Sequence, residues 1–111
     1  LQAFVTMNDP QWVEAARRLA ERAVTAAVDP KGRLEFLAHA TLGRPLQAAE
    51  TKALLGSAER VRAKYTADAA AAEALLKVGE SSSYPALPPS ELATWTVVAS
   101  QFLNLDEFLN K

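Results

Sequence analysis

Apolar residues recur along this chain at three- and four-residue steps, the spacing that lines up one face of an α-helix. After Asn8-Asp9-Pro10, the residues Trp12, Val13, Ala16, Leu19, Ala20, Ala23, Val24 and Ala27 form such a stripe. A helix is predicted to about Val28, capped by Asn8 or Asp9, with Pro10 in the first turn where no backbone donor is missed. Glu14, Arg17, Arg18, Glu21 and Arg22 fall on the opposite face and read as solvated. Glu14 with Arg18 and Arg17 with Glu21 are i,i+4 pairs, each worth about 0.3 kcal/mol.

The same period predicts four further elements. Asp29-Pro30-Lys31-Gly32 breaks the first helix, and a second starts near Gly32 or Arg33 with Leu34, Leu37, Ala38, Thr41 and Leu42 on one side. Gly43 is placed to end it in a left-handed conformation. A third helix, from about Ala48 to Tyr65, carries Leu54, Ala58, Val61 and Tyr65, and Gln47 before it is a poor cap. Asp68 caps a short fourth helix, Ala69 to Val78, that Gly79 would end. The stretch from Gly79 to Pro89 has no helical period and three prolines, which makes it the one long Ser/Pro-rich loop. The last helix, from about Pro89 or Ser90 to Leu109, is the most apolar. Trp95, Val98, Phe102, Leu105 and Leu109 are widened by Leu92, Val97, Ala99, Leu103 and Phe108, so it is expected at the centre. No alternating strand pattern occurs. The expectation is an all-α bundle of four to five helices, with 1–111 a single helical domain.

Length and composition agree with one core: 111 residues, half of them apolar, with much of that alanine, which favours helix more than burial. Twelve basic and thirteen acidic residues, mixed in sign, give a net charge of −1 and no electrostatic reason to seek nucleic acid or anionic lipid. No apolar run approaches the roughly 20 residues of a membrane span. With no cysteine, the segment has no disulfide, thiolate metal site or covalent haem attachment of its own. The apolar start Leu1-Gln2-Ala3-Phe4-Val5-Thr6-Met7 has no cap and reads as the tail of a helix that begins upstream. It is expected to pack on upstream domains of the same protein or, without them, to form a homodimer.

Candidate chemistry is sparse. His39 is the single histidine, with Glu35 one turn before it, and one carboxylate without further ligands is not a site, so it reads as a helix-surface or half-buried histidine. Asp106-Glu107, after Asn104, is the densest oxygen cluster, but side chains adjacent on a helix point about 100° apart and lack the spacing of a calcium loop. Asn8-Asp9 reads as a cap. Ser81-Ser82-Ser83 lacks a nucleophile elbow. Arg17, Arg18 and Arg22 are interrupted by acids and have no stacking aromatics, and Gly43-Arg44-Pro45 is too short to cradle phosphate. Trp12 and Trp95 lie on apolar faces, as core residues do. No catalytic, cofactor-binding or metal residue is assigned.

Five strings, in order, carry a resemblance that spans essentially the whole chain. They are Leu1-Gln2-Ala3 running into Met7-Asn8-Asp9-Pro10, Thr41-Leu42-Gly43-Arg44-Pro45, Val78-Gly79-Glu80-Ser81, Glu91-Leu92-Ala93-Thr94-Trp95-Thr96, and Leu103-Asn104-Leu105-Asp106-Glu107-Phe108-Leu109. Together they resemble the C-terminal part of a domain of unknown function found in large planctomycete-type cytochrome-c-linked proteins. The resemblance implies an exported parent in which this region follows another domain and, often, a cytochrome-c-like module. Haem c would sit in that upstream module, whose Cys-x-x-Cys-His motif is absent here. The chain departs from the family where Asp-Pro-Ala-Glu usually precedes the last helix. It has Pro88-Pro89-Ser90-Glu91, which leaves Ser90 as the expected cap. It also has Gln47-Ala48 where the family has Thr-Pro. The functional expectation is a non-catalytic structural or interaction module. The alternatives are part of an enzyme completed by upstream domains, to which Asn8, Asp9, Asp106 or Glu107 would contribute, and a support that docks on a haem domain.

Overall fold

The computed structural model describes residues 9–77 and 87–109, with side chains described through Leu105. Within them the chain forms five helices and no strand: α1 Pro10–Ala26, α2 Pro30–Thr41, α3 Ala48–Ala67, α4 Ala69–Leu76 and α5 Pro89–Leu109.

Each start has a local cause. Asp9 caps α1, its carboxylate accepting from the backbone N–H of Gln11 at 3.0 Å. Asp29 repeats the device for α2 by accepting from Gly32 N–H at 3.1 Å, so this helix begins at Pro30 rather than at Gly32 or Arg33. The Asp-Pro pair read as a breaker is thus a second cap followed by proline at the first helical position. A β-carbon at Gly32 would lie 2.8 Å from the Ala27 Cβ and 2.9 Å from the Asp29 carboxylate, so the tight α1–α2 turn requires glycine there. Gly43 ends α2 at φ 69°, and its N–H and that of Leu42 both reach the Ala38 carbonyl.

Gln47, expected to cap poorly, takes part with Glu50 in a capping box at the start of α3. Glu50 reaches back to accept from the Gln47 N–H at 2.8 Å, and Arg44 grips the same carboxylate with two bonds of 3.0 and 2.9 Å. Asp68 caps α4 through the N–H of Ala71. Helix α5 starts at Pro89, with the Pro88 carbonyl accepting from Glu91 and Leu92, so Ser90 lies inside the helix and is not its cap. Val78, Gly79 and the serine run lie outside the described residues.

Helix α5 is the axis. It touches each of the other four, α1 packs on α2, α2 on α3 and α3 on α4, and the ring closes where Arg17 of α1 donates to the Leu76 carbonyl at the end of α4. Every residue from Leu92 to Phe102 except Val97 is buried, including Thr94, Thr96, Ser100 and Gln101. A helix enclosed on all sides must satisfy its polar groups internally. Thr94, Thr96 and Ser100 donate to the α5 carbonyls of Ser90, Leu92 and Val97, and Gln101 exchanges hydrogen bonds with Ser57 of α3.

The expected solvated face of α1 is corrected at Arg17, which is fully buried while Arg18 stays exposed and pairs with Glu14 at 3.5 Å. The reason is its register: Val13, Ala16, Arg17, Ala20 and Val24 follow the helical period around the buried side, and the guanidinium meets the carbonyl end of α4, where the helix dipole favours a cation.

Candidate functional site

Charged side chains from three helices converge on the first turn of α5. Glu91 occupies the third helical position, where a capping-box acid would turn back to the backbone. It points instead across the bundle. Its Oε1 accepts from the Arg33 guanidinium at 3.1 Å, from Arg62 at 3.0 Å and from the Trp95 indole N–H at 3.0 Å, while Oε2 accepts from Arg62 Nε at 3.2 Å. Three helices, α2, α3 and α5, therefore meet at one carboxylate.

Each donor is itself fixed. Arg33 is 8% exposed, donates through Nε to the Ala27 carbonyl at 2.9 Å, and lies over the Trp95 ring at 5.4 Å from its centroid. Arg62 also pairs with Glu59 one turn earlier on α3. Burial pushes the Glu91 carboxyl up, but the hydrogen bonds from Arg62 and Trp95, with the charges of Arg62 and Arg33, outweigh it and hold the group below its ordinary value. The hydrogen bond to Glu91 correspondingly raises Arg62. A carboxylate locked as an anion by two cations is a poor proton carrier at neutral pH and a good joint.

The other candidates lie apart from this joint. His39 and Glu35 are exposed on α2. Asp9 is the α1 cap, Asn8 lies outside the described residues, and the side chains of Asp106 and Glu107 lie outside them too. Arg44 of the Gly43-Arg44-Pro45 turn is engaged by Glu50, whose carboxyl that pair and the Gln47 N–H bring down to about 2. Arg22 lies over Phe36 at 5.4 Å. Trp95 is core, as expected, whereas Trp12 is half-buried. Among the described residues no three His, Cys, Asp or Glu side chains cluster to hold a metal, and no helix is long and apolar enough to cross a membrane.

The sequence reading missed Arg17, Arg33, Arg62 and Glu91. A signal existed: Arg33 precedes Leu34 and Leu37 on the buried face, and Glu91 sits one turn before Trp95. A charged residue in register with an apolar stripe marks a buried ion pair as readily as an interrupted one.

At the opposite end of α5, beyond the clamp, Leu42, Leu46, Ala49, Ala53, Leu54 and Leu105 line an open groove of about 400 Å³, with the Arg44–Glu50 pair at its rim. The shared groove places the end of α2 and the start of α3 beside the end of α5. Helix α2 thus runs parallel to α5 and α3 antiparallel, with the clamp at one end of the bundle and the groove at the other. No family model, no curated protein and no solved structure matches this chain, so its architecture and its clamp are what characterise it.

Proposed function

We propose that the chain is a non-catalytic helical structural and interaction module from the C-terminal end of a larger exported, cytochrome-c-associated protein. Its partners are the upstream domains of that protein, one of which would hold haem c. The Glu91 clamp is the observation that supports this reading: the strongest polar convergence among the described residues joins three helices, and its carboxylate is kept ionised rather than poised for proton transfer. The five sequence strings support the parent and its export.

The test uses the full-length parent. Exchanging the carboxylates Glu35, Asp106 and Glu107 for amides, and His39 for Gln, leaves its activity and haem reduction rate unchanged. Glu91→Ala lowers its thermal stability and yield of folded protein. Loss of activity in any of the first four variants with the fold intact, by circular dichroism, would instead establish an enzyme site completed across domains.

A further inference from the structure

We propose that the groove between the end of α2, the start of α3 and the end of α5 is a docking site for an uncharged peptide segment of a partner, which places a leucine-sized side chain in the groove and a peptide group against the Arg44–Glu50 pair. This deepens the interaction role proposed above and rests on it, by naming the chemistry that role recognises at this face.

The groove exists because α3 is small where it borders it. Ala49 and Ala53 stand at i and i+4, one turn apart on the same side of the helix, and both are exposed. With only methyl groups there, Leu42, Leu46 and Leu105 are left half-buried, and Leu54, which is buried, is the fourth leucine of the lining. The space of about 400 Å³ falls in the range of small-molecule and side-chain pockets, and like them it is mostly apolar with few polar groups. Among the described residues no lining side chain is aromatic, so a flat ring finds no stacking face, whereas a branched aliphatic group takes the leucines out of water.

The rim decides the charge of the occupant. Arg44 and Glu50 sum to zero and are joined by two bonds of 3.0 and 2.9 Å. Glu50 Oε1 accepts also from the Gln47 N–H at 2.8 Å, and Arg44 Nη1 donates also to the Pro45 carbonyl at 3.0 Å. An anionic group would have to displace Glu50 from this set, and a cationic group would have to displace Arg44. Capacity for a neutral group remains. Among the described residues the Arg44 Nε–H makes no bond, and Glu50 Oε2 accepts only the one from Arg44. Both side chains are partly exposed, so water now fills these positions. A peptide group supplies one donor for the carboxylate and one acceptor for the guanidinium without bringing charge, and hydrogen bonds to ionised partners are the stronger kind.

The native chain of 111 residues is titrated with N-acetyl-leucinamide and followed by amide proton–nitrogen NMR spectra. Saturable shifts are expected at Leu46, Ala49, Ala53 and Leu54, with none at Leu34 or Glu91 of the clamp end. N-acetyl-alaninamide, N-acetyl-leucine with its carboxylate and leucinamide with its ammonium each bind about tenfold more weakly, the cost of one lost apolar or charge-assisted contact. Ala53→Phe, which fills the groove from an exposed position, abolishes the shifts with an unchanged circular dichroism spectrum. Absence of saturable shifts overturns the proposal. Equal binding of the acid or the amine also overturns it, because the rim then selects nothing, and so do shifts at these residues that grow with protein concentration alone, which make a second copy the occupant. The series needs only this chain, so its failure is distinct from a loss of activity in the parent-protein variants.

Discussion

The two ends of the bundle are held together by different physics. At the clamp end, α2, α3 and α5 are joined by directional bonds to one carboxylate, backed by a buried indole. At the groove end the same three helices meet through leucines and alanines, and the one ion pair among the described residues there, Arg44 with Glu50, lies on the surface within a single turn-to-helix connection. The first arrangement fixes the register of three helices and tolerates no vacancy among its partners. The second tolerates change, and it leaves apolar surface available.

Breaking the clamp from its apolar side has the largest effect. Trp95→Ala empties the best-buried large side chain and removes a donor from Glu91, so stability falls by about 4 kcal/mol in urea unfolding. Glu91→Ala comes next, at about 3 kcal/mol, because the nearly buried Arg33 loses its countercharge. A Glu91→Ala, Arg62→Ala cycle shows coupling above about 1 kcal/mol, and additive losses would mean that the two groups do not act together.

A smaller effect is expected in the α1–α2 turn. Gly32→Ala would add helix propensity in an open site, but here the new methyl meets the Ala27 Cβ, and stability falls by about 1 kcal/mol instead. A rise in melting temperature would show that this turn relaxes freely.

The smallest is electrostatic and separates the ends by pH. Glu91 and Glu50 both have folded values below their unfolded ones, so the stability each contributes is present above the unfolded value of about 4.5 and is lost as pH falls through the folded value. For Glu50 that window runs from about 4.5 down to about 2, muted by solvent screening. Acid titration of Glu50→Gln should flatten the loss below pH 4.5 more than Glu91→Gln does, because burial opposes the lowering at Glu91 and leaves its carboxyl less displaced. Equal flattening would remove the distinction between a partly buried joint and a surface pair.

The axis of the fold was legible because Leu92 to Phe102 is apolar enough to predict burial, and the Asp9 cap because its signals are local. Asp29-Pro30 carried the same local signal, but Gly32 three residues on masked it as a break. The clamp was not legible for a different reason. Its bonds span 58 residues from Arg33 to Glu91 and 29 from Arg62 to Glu91, and a single sequence records such a meeting only as charges in register with apolar stripes. Arg17 illustrates the cost of ignoring register: its charge suggested water, and its position among Val13, Ala16 and Ala20 meant burial.

Because α5 is both the centre of the ring and the last of the five described helices in chain order, α1 to α4 are synthesised with their apolar faces turned toward an element that does not yet exist. Pairing of α1 with α5 must close a loop containing all the intervening helices, which places this bundle among the slower folders of its class. A nascent chain that stalls before Pro89 therefore presents four unpaired stripes at once and becomes a substrate for chaperones and proteases rather than a partly assembled domain.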